Sequence, residues 1–212
     1  PSGDGDRWRA PNMAGGPGGP GGGQTGVSAF GYLGNTNVTT YQKYYELKSD
    51  YHTNAWPRLV RAIYVLNNTA SAQLRSRLED SFAVDRWLWF LAIENVFADD
   101  DSYWNKGADY MFYYEPESGR IHPVEHDGNE AFVARDSSLS PVQGAALASR
   151  PLLYRMLSIP ELKQRYLAHM RGVLDENFNP ANTTALVHQF SPLSLDAITA
   201  DPWVGGWNYG GG

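Results

Sequence analysis

Apolar residues recur at helical spacing from Trp56 to Leu66, where Leu59, Val60, Ile63, Tyr64 and Leu66 share one face and Pro57 suits a first turn. This stretch predicts an amphipathic helix. The run from Ser71 to Phe97 predicts another, with Asp80 and Ser81 as candidate caps. In its second half Phe82, Val84, Trp87, Leu88, Phe90, Leu91, Ile93 and Val96 occupy nearly every side, which marks a helix running through the middle of a domain. The pattern then changes. Ala98 to Ala108 is polar and contains Gly107, as a loop does. Asp109 to Glu115 has strand composition, Pro116-Glu-Ser-Gly119 is turn chemistry, and Arg120 to Glu125 can return as a second strand. A β-hairpin is the expectation. Helical spacing resumes at Pro151 to Leu157. It resumes again in a helix opened by Ile159-Pro160-Glu161 and running to about Glu176, with Leu162, Tyr166, Met170, Val173 and Leu174 on one face. Thr39 to Leu47, β-branched and aromatic, fits a strand or an early helical turn. Pro192 to Gly212 reads as an irregular end.

Composition narrows the classes. With 212 residues, 42% of them hydrophobic, the chain can bury a core, and its length allows one domain or one and part of another. The longest unbroken apolar run, Trp87 to Ile93, falls far short of the roughly 20 residues a bilayer span needs, so no membrane span is expected. The absence of cysteine excludes a disulfide scaffold. Net charge of -6 with few lysines offers no basic stripe for a phosphate backbone, which argues against nucleic acid as a partner. Residues 14–26 are almost all Gly and Pro. They lack the flanking strand and the Gly-Lys-Ser/Thr ending of a phosphate-binding loop, and so read as a flexible loop. The N-terminus, Pro1-Ser-Gly-Asp, has neither an initiator Met nor a basic-then-apolar leader, as in a mature product or a fragment.

Charge is distributed unevenly. Between Glu94 and Glu130 ten carboxylates face only Lys106 and Arg120, a local balance of -8 in a chain of net charge -6. Crowded carboxylates repel unless a cation or a proton relieves them, and hard cations prefer oxygen ligands. A hairpin brings its two ends together, so Asp101 to Asp109 at its entrance and Asp127 to Asn129 at its exit should be neighbours. Carboxylates and an amide meeting there would suit a divalent cation carrying phosphates, with one Asp left to accept a proton from an attacking hydroxyl. Protein kinases use that logic and that order of elements.

Several segments carry a more specific likeness. Tyr44-Tyr-Glu-Leu-Lys48, Asp85-Arg-Trp-Leu-Trp-Phe-Leu-Ala-Ile-Glu-Asn-Val96, Asp101-Ser-Tyr103, Asp109-Tyr-Met-Phe-Tyr-Tyr-Glu-Pro-Glu-Ser-Gly119, Pro123-Val-Glu-His-Asp127 and Pro160-Glu-Leu-Lys-Gln-Arg-Tyr-Leu167 occur in the order and spacing of one family. Over roughly residues 40 to 180 the chain resembles the CotH kinase-like proteins, named for a spore coat protein and related to atypical protein kinases. The resemblance implies an α+β fold, the mainly helical C-lobe of a protein-kinase-like fold with a β-hairpin at its active site. The chain would divide into a Gly-rich flexible segment over residues 1–40, the lobe over 41–190 and an irregular end over 191–212, with the ATP-covering small lobe missing upstream. Such a fragment should bind ATP poorly.

The resemblance also implies roles. Asp101 becomes the catalytic-loop aspartate, within one or two residues' register of Asp99 and Asp100, and Asp127 the metal-binding aspartate, with Asp109 and Asn129 assisting at the metal and cofactor. Family members usually carry Asn at the position of Asp109 and a Trp-Asp-Leu-Asp pattern where this chain has Glu125-His-Asp-Gly-Asn129. The implied activity is transfer of the ATP γ-phosphate, with Mg²⁺ or Mn²⁺, to Ser or Thr of coat or surface proteins. The implied setting is a spore coat, cell surface or the secreted space.

Other readings compete. A structural module could hold Ca²⁺ in the acidic loop, although Asp99-Asp-Asp-Ser-Tyr-Trp-Asn-Lys-Gly lacks the alternating ligands and terminal Glu of an EF-hand. A non-catalytic relative could serve as a scaffold of a coat or envelope, and the departures at Asp109 and Asn129 favour that. Carboxylate-pair glycoside hydrolysis is permitted by the aromatic content alone. Lys48 is expected in an ion pair. His122 and His126, separated by Pro123, cannot form a helical metal pair and are expected to be structural. Asn37, Asn67 and Asn182 stand in glycosylation-type triplets.

Overall fold

Four short antiparallel strands and seven helices make up the computed structural model, which describes residues 3–11, 28–49, 52–126, 128–132, 136 and 138–201. The sheet has the order β2 (Glu46–Ser49), β1 (Asp6–Ala10), β3 (Tyr110–Glu115) and β4 (Arg120–Val124). The fold is therefore α+β. The expected hairpin is β3–β4, paired from Met111 opposite Val124 to Glu115 opposite Arg120, and Gly119 supplies the positive φ (69°) that its turn requires.

β1 lies inside the stretch expected to be flexible, and the sequence pattern does not signal it. It is held from both sides, by β3 in full register and by β2 across a bulge between Arg7 and Trp8. Its inward side chains alternate, but one of them is Asp6, fully buried and paired with His52 (3.3 Å) and Arg58 (3.7 Å), which hides the apolar period. Trp8 stacks on Phe112 and meets the edge of Trp56. The Gly-rich residues 14–26 lie outside the described residues. Edge strand β2 is polar and exposed, and Lys48 pairs with Glu46 within it, as expected.

α1 (Val38–Tyr41) is a single turn capped by Asn37, whose side chain accepts from the Thr39 amide. α2 (Ala55–Asn68) is the first amphipathic helix, burying Leu59, Val60, Ile63 and Leu66. The stretch Ser71–Phe97 is two helices, α3 (Ser71–Ser81) and α4 (Val84–Val96), and the single helix expected there is corrected accordingly. No Gly or Pro lies at the break. Phe82 turns extended and Ala83 leaves helical geometry because Phe82 bridges to Ile121 and the Ala83 amide donates to the Ile121 carbonyl (2.9 Å). That carbonyl also accepts from Trp87 Nε1 (2.9 Å), so the hairpin is tied to the start of α4. Around this joint Phe30 touches Tyr45, Phe82, Trp87, Tyr110 and Phe112, the aromatic centre of the core.

α5 (Pro151–Met156) and α6 (Pro160–Gly172) follow as expected, with Leu162, Tyr166 and Met170 buried on α6. The chain forms two compact units that divide after Met170. The second unit begins with the end of α6 and a π-helical turn, Val173–Asn177, on which Leu174 is exposed rather than packed. It continues as α7 (Pro180–Ala200), capped by Asn179 and running through Pro192. The irregular end expected from residue 191 is thus helical as far as Ala200, and the residues beyond 201 lie outside the described ones. None of α7's residues is buried.

Candidate active site

The acidic loop begins where α4 stops. Ala98 takes a left-handed conformation (φ 48°), which ends the helix, and the Asp99 amide turns back to the Glu94 carbonyl (3.1 Å). Asp99 Oδ1 accepts from the Asp101 amide (3.1 Å), and Ser102 Oγ donates to the Asp99 carbonyl (2.7 Å). Asn105 Nδ2 closes the loop on the Asp100 carbonyl (2.7 Å). From outside, the fully buried Arg150 donates through Nε to the Trp104 carbonyl (3.1 Å) and through Nη2 to the Asn105 carbonyl. Tyr103 accepts from the Leu152 amide (2.8 Å) and donates to the Ala29 carbonyl (3.0 Å). The loop is therefore braced from both its own side chains and the core.

The entrance and exit of the hairpin do meet. The Asp100 amide donates to the Glu130 carbonyl (3.2 Å), and the Phe132 amide to the Phe97 carbonyl (2.7 Å). Lys106 Nζ lies between the two sides, 2.7 Å from Asp101 Oδ1 and 3.5 Å from Glu130 Oε2. Burial lowers the affinity of Lys106 for its proton, but Asp101 and Glu130 outweigh that and leave its pKa raised.

Two further carboxylates sit beneath. Glu94, only 4% exposed, accepts from the Tyr103 amide through Oε1 (3.2 Å), while its Oε2 is buried without a hydrogen-bond partner among the described residues. Burial holds its pKa well above the usual carboxylate range, with Glu125 and Asp99 adding to the effect. Asp99, 5% exposed, is pushed up to about 6 by burial and by the like charges of Glu125, Asp101 and Glu130, against the lowering hydrogen bond from Asp101. The signal for Glu94 was present in the sequence as the one charge between Trp87 and Phe97, in the part of the helix that is apolar nearly all round. Lys106 was visible only as a counter-charge.

Asp109 is placed at the start of β3 with φ 53°, its amide donating to the Ala10 carbonyl (2.7 Å) and its carboxylate 3.5 Å from Arg9. Asn and Asp tolerate this left-handed conformation better than other residues with a side chain, a physical reason for the two to interchange there. Asp127 lies outside the described residues. Asn129 belongs to a 3-10 turn, Gly128–Glu130, at the hairpin's exit. Among the described residues no three carboxylates or histidines converge as a metal site. His122 pairs with Glu115 across the hairpin (3.3 Å), and burial lowers its pKa. Asn67 Nδ2 donates to the Phe30 and Ile63 carbonyls, so its amide is an internal brace.

A family model described as CotH kinase protein matches residues 29–207, from just before Phe30 through α7. The chain belongs to the CotH kinase family. Of this CotH chain the match includes α4, the acidic loop, the hairpin and its exit, whereas β1 precedes it. Comparison with curated proteins gives no match. Among the described residues no helix is long and apolar enough to cross a membrane.

Proposed function

We propose that this CotH-family chain is the C-lobe-like part of an atypical protein kinase that transfers the γ-phosphate of ATP to Ser or Thr hydroxyls of coat or surface proteins. The observation that carries the reading is the meeting of the hairpin's entrance and exit, with Asp101 and Glu130 on either side of Lys106. In this reading Asp101 orients the acceptor hydroxyl and takes its proton as the oxygen attacks the γ-phosphorus. The bond from that phosphorus to the bridging oxygen breaks, and ADP leaves. Lys106 fixes the direction of the Asp101 carboxylate. Asp127, with Asp109 and Asn129 assisting, is the donor set for Mg²⁺ or Mn²⁺, and its oxygens suit a hard cation. When bound, the cation would neutralise charge on the phosphates.

A second reading, a non-catalytic scaffold of a coat or envelope, draws support from two of these carboxylates already facing cations, Asp101 facing Lys106 and Asp109 facing Arg9. Calorimetric titration of Mg²⁺, Mn²⁺ and ATP into the full-length parent and its Asp127→Ala variant, followed by a labelled-phosphate transfer assay, separates the two. Metal-dependent ATP binding and transfer, both lost in the variant, are expected of the kinase. Metal binding without ATP, or neither, would leave the scaffold.

A further inference from the structure

The opposite end of the hairpin carries a cleft of different chemistry. α2, α3 and the turn end of β3–β4 enclose a cavity of about 360 Å³, lined by Arg58 and Arg61 from α2, Arg77 from α3, and Tyr114, Gly119 and Ile121 from the hairpin. Among the described lining residues its one carboxylate is Asp80. Arg58 and Arg61 are three apart and so share a helix face. Arg58 lies over the Tyr114 ring, 4.6 Å from its centroid, and within 3.7 Å of buried Asp6, contacts that fix its direction. Its Nη1 is buried without a hydrogen-bond partner among the described residues. Arg77 approaches Asp80 only at 3.9 Å, beyond hydrogen-bond range. Arg61 lines the same cleft and has no carboxylate partner among the described residues.

Three arginines therefore line one cleft in a chain of net charge -6, Arg58 held by Asp6, Arg77 loosely by Asp80, and Arg61 by no carboxylate among the described residues. A carboxylate, with two oxygens, satisfies one fork. A phosphate monoester offers three strongly accepting oxygens and a charge of about -1.5 to -2, which suits several forks at once. We propose that this cleft is a binding site for a phosphate monoester, separate from the acidic end of the hairpin, with Arg61 and Arg77 as its donors and Arg58, held by Asp6 and Tyr114, as part of its wall. The cavity has room for a phosphorylated side chain and adjoining backbone.

Calorimetry on the whole chain without divalent cation tests this, with inorganic phosphate, a phosphoserine peptide and the same peptide unphosphorylated as probes. Both phosphate-bearing probes should bind and the unphosphorylated peptide should not. Arg61→Ala with Arg77→Ala should weaken binding by about tenfold or more, the loss of a charge-assisted hydrogen bond or two. Asp80→Asn should tighten it severalfold by removing repulsion. Arg61→Lys with Arg77→Lys keeps the charge but loses the forks, and should recover only part of the affinity, which also separates loss of donors from loss of fold. A phosphopeptide that binds more tightly than free phosphate identifies a modified side chain as the source, and equal binding identifies free phosphate. Absence of binding, or affinity unchanged in the double alanine variant, overturns the site. Full affinity in the double lysine variant overturns the fork argument.

Discussion

The two ends of one hairpin have opposite electrostatics. At the open end Asp101 and Glu130 flank Lys106, and burial forces the nearby Glu94 and Asp99 towards the protonated form. At the turn end Arg58, Arg61 and Arg77 line one cleft, with Asp6 beside the first and Asp80 near the third. The same two strands carry both, so the scaffold sets position while the flanking helices set charge: α4 and its loop deliver carboxylates, and α2 and α3 deliver guanidinium groups. The difference also teaches how each end can be perturbed alone. The open end is strained by like charge and answers to protons and salt, whereas the turn end is short of acceptors and answers to anions.

The largest expected effect breaks the comparison at one end only. If Asp101 accepts the hydroxyl proton, Asp101→Asn should lower phosphate transfer by about 10²–10⁴-fold, measured with labelled ATP. Phosphate affinity at the arginine cleft should stay within about twofold. A drop at both ends would mean that the sites are not separate.

Next comes the scaffold itself. Trp87 is fully buried, touches Phe30, Phe82, Phe90 and Tyr110, and donates to the Ile121 carbonyl between the two ends. Trp87→Ala should cost about 3–5 kcal/mol in urea unfolding and weaken both sites together. An effect confined to one end would show that α4 does not hold the hairpin as a unit.

The acidic end should also show its strain as pH dependence. Asp99 holds its proton more tightly folded (about 6) than its ordinary value of 3.8. Its contribution is therefore most favourable below about pH 4 and is lost as pH rises through 6, by up to about 3 kcal/mol. Asn keeps the oxygen that accepts from the Asp101 amide without the charge. Asp99→Asn should be the more stable protein at pH 7 by about 2 kcal/mol, with the difference shrinking towards zero at pH 4. Equal urea midpoints at both pH values would refute the strain.

How much of this was legible in the sequence follows from where the determining interactions lie. The hairpin was readable because its turn residues and its strand composition are local, from Tyr110 to Val124. The convergence of the acidic loop with the hairpin exit followed from that hairpin. The break between α3 and α4 was not readable, because it is made by Ile121, some forty residues downstream of Phe82, and by no local breaker. β1 was hidden by its buried Asp6, whose partners His52 and Arg58 come from another part of the chain. α7 continues through Pro192, where a breaker suggested an end. At the site, Asp101 stood out as one of a run of aspartates, but that Lys106 would face Asp101 and Glu130 together depended on the loop's fold. The arginine cleft gave no signal, since Arg58, Arg61 and Arg77 are unremarkable charges until α2 and α3 pack beside the hairpin.

The smallest effect sharpens the comparison most, because it removes one cation from each end. Lys106→Met takes away the only positive group shown between Asp101 and Glu130, leaving the carboxylates to repel across a partly buried space. It should destabilise the chain by about 1 kcal/mol in low salt, and added sodium chloride should recover part of that by screening. Arg61→Met removes a charge that no carboxylate offsets, so urea stability should stay within about 0.5 kcal/mol of the parent and be insensitive to salt. If Arg61→Met proved as costly as Lys106→Met, Arg61 would be bound into the structure like Lys106, and its donors would not be available to a phosphate.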